Sequence, residues 1–236
     1  MKTSRIVLWS GAAFLGLLIL ASLISLKISL GRDMGPISGD EISYSGDDSR
    51  FEVDTRGVRR IKLQGGWQVK LIPGGGGGEV IIPAEAEEHL EIVKRGEELF
   101  IGLEKGFRIG EGAPYKIELS LEALEGIELE GASDMRIEDF DSQRLEIRIA
   151  GASNILALNC SAEELIVRTE GASNLDLDAS RFVNANLEME GASNVEIELA
   201  GGVLEGRVSG IASVVYGGEV SEYRLRTEGP ASVERR

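Results

Sequence analysis

Over the second half of the chain, hydrophobic and polar residues alternate one for one in short runs. Leu145, Ile147 and Ile149 form one such run, as do Leu165 with Val167 and Leu187 with Met189. A second set follows the same rule: Met135 with Ile137, Ile155 with Ala157, Leu175 with Leu177, and Val195 with Ile197. Alternation at period two predicts strands with one face on a core and the other in solvent. Between the two sets stands a four-residue signature, Gly131-Ala132-Ser133-Asp134, which recurs as Gly-Ala-Ser-Asn from Gly151, Gly171 and Gly191 at a constant spacing of 20 residues. Degenerate copies follow at Ile211-Ala212-Ser213-Val214 and Pro230-Ala231-Ser232-Val233. A fixed period of this size marks a solenoid, and one period has room for two strands but not for a long helix as well. The expected fold is all-β: a right-handed parallel β-helix with 20-residue coils, stacked about 4.8 Å apart.

Stacked coils set equivalent residues above one another. Gly131, Gly151, Gly171 and Gly191 would form a column that permits positive φ or close backbone approach. Small alanines and Ser133, Ser153, Ser173 and Ser193 would fit inside the bend. Asn154, Asn174 and Asn194 can hydrogen-bond from coil to coil. The signature therefore reads as a structural corner ladder rather than a polar binding stripe. Outward, Glu128, Arg148, Arg168, Glu188, Arg207 and Arg226 share a column, with Glu128 beside Arg148 and Glu188 between Arg168 and Arg207 as favourable cross-coil pairs. Cys160 occupies a slot shared with Phe140 and Ala200 that is expected to face inward, as an inert buried thiol.

One break in the charged outer surface stands out as a candidate interaction patch. Where neighbouring coils carry Arg136 and Glu138 or Asp176 and Asp178, the second coil carries Leu156 and Leu158, and on the facing strand Ile166 lies between Glu146 and Asn186. All three apolar residues should point outward. A stretch of the amino-terminal half packed over them is the expected reason, and a partner or self-association site is the alternative.

The amino-terminal pattern is different. Ile6 to Leu26 is an unbroken uncharged run, long enough to span about 31 Å as a helix, roughly a hydrocarbon core. It predicts a single transmembrane anchor over 6–26 behind a cytoplasmic tail over 1–5, with the rest of the chain exported from an inner (cytoplasmic) membrane of bacterial type to the periplasm or cell exterior. A cleaved signal peptide is the alternative, although its apolar region is usually only about 7–15 residues. Gly31, Pro36, Gly39 and Gly46 among Ser and Asp read as a solvated stalk over 27–50.

From 51 to 130 the period is lost while alternation persists, in Val58 to Leu63, Trp67 to Leu71, Leu90 to Val93, Leu99 to Ile101 and Ile117 to Leu119. Gly65 and Gly66 can turn between the first two strands. The five glycines Gly74 to Gly78 lack the Lys-Ser/Thr pair of a phosphate loop and read as a flexible turn. These strands, the Gly96-Glu97-Glu98-Leu99-Phe100-Ile101 segment and above all the repeated Gly-Ala-Ser-Asn motifs resemble the putative auto-transporter adhesin, head GIN domain family. The resemblance runs from about Phe51 through Arg236. It implies one exported β-helix-like domain, an amino-terminal β-rich part over 51–130 and a repeat part over 131–236. The family name suggests adhesion, and the resemblance supplies no catalytic residues.

Composition narrows function further. A formal net charge of −15 disfavours nucleic acid as a partner, since phosphate binding needs clustered Lys and Arg. One cysteine and one histidine argue against disulfides, zinc sites and histidine catalysis. No catalytic, cofactor or metal residues are assigned. Asp176, Asp178, Glu196 and Glu198 make an acidic patch, but no Arg or Lys lies in its own rows to complete a lyase-like site. The expected function is a non-catalytic, membrane-anchored envelope scaffold or interaction module, meeting another envelope protein, a polysaccharide or a second copy. A carbohydrate-binding or carbohydrate-cleaving β-helix and a self-assembling, bactofilin-like β-helix are the alternatives.

Overall fold

The structure is a computed structural model that describes residues 40–42, 44–104, 107–109 and 115–236. The tail and anchor expected over 1–26, and most of the expected stalk, lie outside the described residues. Among the described residues no helix is long and apolar enough to cross a membrane.

The first half contributes β1 (Asp40–Ile42), β2 (Asp48–Val53), β3 (Arg60–Gly65), β4 (Gln68–Pro73), β5 (Gly77–Pro83), a 3-10 turn over Ala84–His89, β6 (Leu90–Arg95), β7 (Glu98–Leu103), β8 (Phe107–Ile109) and β9 (Lys116–Leu121). The repeats contribute β10 (Gly126–Gly131), β11 (Asp134–Glu138), β12 (Asp141–Gly151), β13 (Asn154–Leu158), β14 (Ser161–Gly171) and β15 (Asn174–Gly191). They continue through β16 (Asn194–Ala200), β17 (Val203–Ser209), β18 (Ser213–Glu219), β19 (Glu222–Glu228) and β20 (Ser232–Arg235). Strand structure therefore begins upstream of Phe51, inside the segment expected to be linker.

From Gly126 the chain winds about six turns of roughly 20 residues. Each turn lays one strand on each of two faces, and like strands pair in parallel: β10 with β12 and then β14, β11 with β13 and then β15. The residues that alternation sends inward are the core. Ile147, Val167 and Leu187 line up on one face, and Ile155, Leu175 and Val195 on the other, all buried. A closed stack of this kind satisfies strand hydrogen bonds between coils while burying one side chain in two.

The amino-terminal half is part of the same stack, out of sequence order. β3 and β4 form a coil directly below β10 and β11, pairing Ile61 with Ile127, Gly65 with Gly131 and Val69 with Met135. β7 and β9 form the next coil down, against β3 and β4. Antiparallel strands then cover the edges of that last coil: β6 on β7, and β5 on β9 with β2 outside it. Reversing strand direction there ends the parallel ladder, which blunts an edge that would otherwise template further pairing.

The glycine run is tighter than the flexible turn expected. A Cβ on Gly76 would collide with Arg56 and one on Gly78 with the backbone at Glu118, so the run lets β5 fold closely back on β9. The last two coil steps also depart from the period. β15 pairs with β17 at Ala185 to Leu204 and β17 with β19 at Leu204 to Tyr223, each a spacing of 19, after a register shift between Leu177 and Phe182. In consequence Leu199 takes the inward slot and Ala200, expected inward, is exposed.

Candidate functional site

The signature corner is structural, with its parts assigned differently from expectation. Gly131, Gly151, Gly171 and Gly191 have φ between 108 and 136°. A Cβ on any of the last three would overlap the carbonyl oxygen of the glycine one coil below. Only glycine meets both demands. Ser133, Ser153, Ser173 and Ser193 are buried, whereas the alanines beside them face solvent. Several serine hydroxyls accept backbone N–H groups from the coil below: Ser133 Oγ from Trp67 at 3.2 Å, Ser153 Oγ from Ser133 at 3.0 Å, and Ser193 Oγ from Ser173 at 3.3 Å. The amide column is weaker than expected. Asn154, Asn174 and Asn194 are stacked and exposed, but the side-chain bond seen in that column runs from Asn154 Nδ2 to Asp134 Oδ1, 2.6 Å. Outward side chains can be satisfied by water, whereas buried serines cannot.

On the face built by β3, β10, β12, β14, the second half of β15, β17 and β19, the predicted column of Glu128, Arg148, Arg168, Glu188, Arg207 and Arg226 is present in register. Arg168 takes Glu188 as expected, 3.2 Å, whereas Glu128 takes Lys62 from the coil below, 2.6 Å, in place of Arg148. The juxtaposed Arg148 and Arg168 are reconciled by Glu146 in the neighbouring column. Its carboxylate accepts Arg60 at 3.0 Å, Arg148 at 2.7 Å and Arg168. Burial pushes the Glu146 carboxyl up, but hydrogen bonds from Arg148 and Arg60 and the field of Arg148 and Arg168 outweigh it, leaving the group below the usual carboxylate range.

That cluster also corrects the expected patch. Ile166 stands in the outward row between Glu146 and Asn186, yet it is only 4% exposed. Arg168, two residues along the same strand, reaches to Glu146 one coil below, so the pair brackets Ile166. Long charged side chains bury apolar surface with their stems in this way. Ile166 is thus removed from the accessible patch.

Leu156 and Leu158 do remain at the surface, half-buried, on the opposite face. Among the described residues the amino-terminal half does not pack over them. It stacks below, and its Lys70 falls in the column of Arg136, Leu156 and Asp176. Leu156 lines a shallow depression of about 580 Å³ with Lys70, Arg136, Asn154 and Asp176. Above it lies the acidic patch, which does hold a cation, contrary to expectation. Arg236, next to β20, reaches Asp178 at 2.7 Å and Glu198 at 3.3 Å. The hydrogen bond from Arg236 lowers the Asp178 carboxyl.

The remaining reactive groups are quiet. Cys160 is buried, its Sγ within 3.4 Å of the Leu158 carbonyl, and burial pushes the thiol up. His89 stacks on Phe107 and meets Glu104 at 3.4 Å. Among the described residues no group of three or more His, Cys, Asp or Glu is arranged to hold a metal.

Comparison with solved structures bears on the fold. A putative adhesin from Bacteroides fragilis superposes with a TM-score of 0.64 at 14% identity, over 83% of this chain and 100% of that one. A putative lipid binding protein from Parabacteroides distasonis gives 0.52 at 14% identity, and a putative adhesin from the same species 0.50 at 12%, each over 84% of this chain and 100% of the other. No functionally curated protein matches. The family described as putative auto-transporter adhesin, head GIN domain, matches residues 58–181, just over half of the chain and most of the stack from β3 to β15. The chain belongs to that family.

Proposed function

We propose that this protein is a non-catalytic interaction module of the bacterial cell envelope, held by a single membrane anchor over 6–26 and presenting its β-solenoid outside the cytoplasmic membrane. The observation that carries the reading is the Leu156–Leu158 break: two adjoining apolar side chains, half-buried at the surface, on a rigid sheet whose neighbouring rows are charged. Rigid sheets hold a recognition surface without an ordering cost on binding. Several titratable groups nearby are held in ion pairs, Glu138 with Arg136 and Lys70, Asp178 and Glu198 with Arg236. Such groups serve a surface better than a proton transfer.

The test is to present the full-length chain, in detergent or reconstituted membrane, with envelope proteins and envelope polysaccharides. Retention of one of them, released with unchanged length, is expected. Shortened polysaccharide or new chain ends would replace the module with an enzyme.

A further inference from the structure

The rows flanking Leu156 differ in charge on their two sides. Along the column that runs up the stack stand Lys70, Arg136, Leu156, Asp176 and Glu196, with Glu118 beyond Lys70 at the lower end and Val215 beyond Glu196 at the upper. Two cations lie below the leucine and two anions above it, at matching steps. In the adjoining column Leu158 is flanked by Glu138 and Asp178.

We infer that this face is a homodimer interface, covered by a second copy of the chain related by a two-fold axis that lies along the strands of the Leu156–Leu158 row. The inference rests on the reading of that face as an interaction surface and names its occupant. A two-fold axis in this direction reverses the order of coils and leaves position along the strand unchanged. Leu156 then meets Leu156 and Leu158 meets Leu158 of the copy. Arg136 faces Asp176, and Lys70 faces Glu196, each twice by symmetry. An isologous contact of this kind requires a self-complementary patch, which this column is. Sheets pack face to face about 10 Å apart. Two leucines fill that gap, and a lysine with a glutamate bridges it. Glu196 is exposed, and Asp176 keeps a buried carboxylate oxygen without a partner. In the like-charged pair that the operation creates, Glu138 opposite Asp178, Glu138 shares Arg136 and Lys70 with the cross-copy pairs and Asp178 is held by Arg236. The alternative axis, along the stack, would set Asp176 against Asp178 and Glu196 against Glu198, and is disfavoured.

The test uses the full-length chain in membranes. Cys160→Ser removes the native thiol, Leu156→Cys places one on the axis, and a short bismaleimide joins two copies. Cross-linked dimer is expected from Leu156→Cys and not from Glu170→Cys, which lies on the other face. Lys70→Glu or Glu196→Lys alone should lower dimer yield about ten-fold, because each change turns two attractive pairs repulsive. The double variant should restore it. Thermal unfolding of each variant separates lost contact from lost fold. Equal yields at the two cysteine positions, charge variants without effect, or a double variant that stays monomeric while folded would each overturn the dimer. Retention of envelope material by a chain that does not cross-link would remove the dimer and leave the interaction module standing.

Discussion

Glu146 shows how far alternation can be trusted for a single residue. Its place in β12 sends it outward, and simple patterning would make it a dispensable surface charge. Three arginines converge on it instead and leave it 5% exposed. Glu146→Ala should therefore cost about 1.5–3 kcal/mol, the range for losing a hydrogen bond to a charged group, where an ordinary surface charge would cost under about 0.5 kcal/mol. Chemical denaturation of the two proteins measures the difference. The acid limb gives a second readout. Because the folded-state carboxyl lies below its unfolded value, its contribution is complete above the ordinary carboxylate range and fades as pH falls through the folded value. Glu146→Gln should flatten that part of the stability profile, and an unchanged acid limb would contradict the cluster. Glycine carries the opposite lesson, since its role was legible from the repeat alone. Gly171→Ala forces a Cβ into the Gly151 carbonyl at a φ of 121°. A loss above about 2 kcal/mol is expected, against little change for Ala172→Ser on the exposed side of the same corner.

At the scale of the coil, the strand register was readable because burial repeats with it. Leu145, Ile147, Ile149, Leu175 and Leu177 were expected inward and are all buried. Ile147→Asp should lose several kcal/mol by burying an unpaired charge, whereas Glu170→Ala on the outer face of β14 should stay within about 0.5 kcal/mol. Equal losses at the two positions would place the register one residue off. What the repeat could not convey was local exchange among outward side chains. Ile166 lies between Glu146 and Asn186 in sequence columns, and its cover depends on where the Arg168 guanidinium goes. Nor could the spacing show that the coils after Gly191 are each one residue short, a change that starts where Leu199 enters the core in place of Ala200.

The whole molecule adds an arrangement that a 20-residue period hides. β3 and β4 stack beneath β10 and β11 across a gap of 66 positions, and the coil of β7 and β9 lies beneath them. Self-similarity at a short period cannot register a coil that is displaced along the chain. A faint signal was present all the same: Gly65-Gly66-Trp67-Gln68 sits between Ile61, Leu63 and Val69, Leu71 as Gly-Ala-Ser-Asn sits between its strands. This displaced coil brings Lys70 into the Leu156 column and completes the face on which function is proposed. The most direct measurement of that proposal compares the full-length chain with its Leu156→Ser, Leu158→Ser double variant, in binding to envelope material or to itself and in thermal unfolding. Both leucines are half-buried at the surface, so the account predicts lost association with an unfolding temperature nearly unchanged. Association that survives in the double variant, or a variant that loses its fold along with its binding, would contradict it.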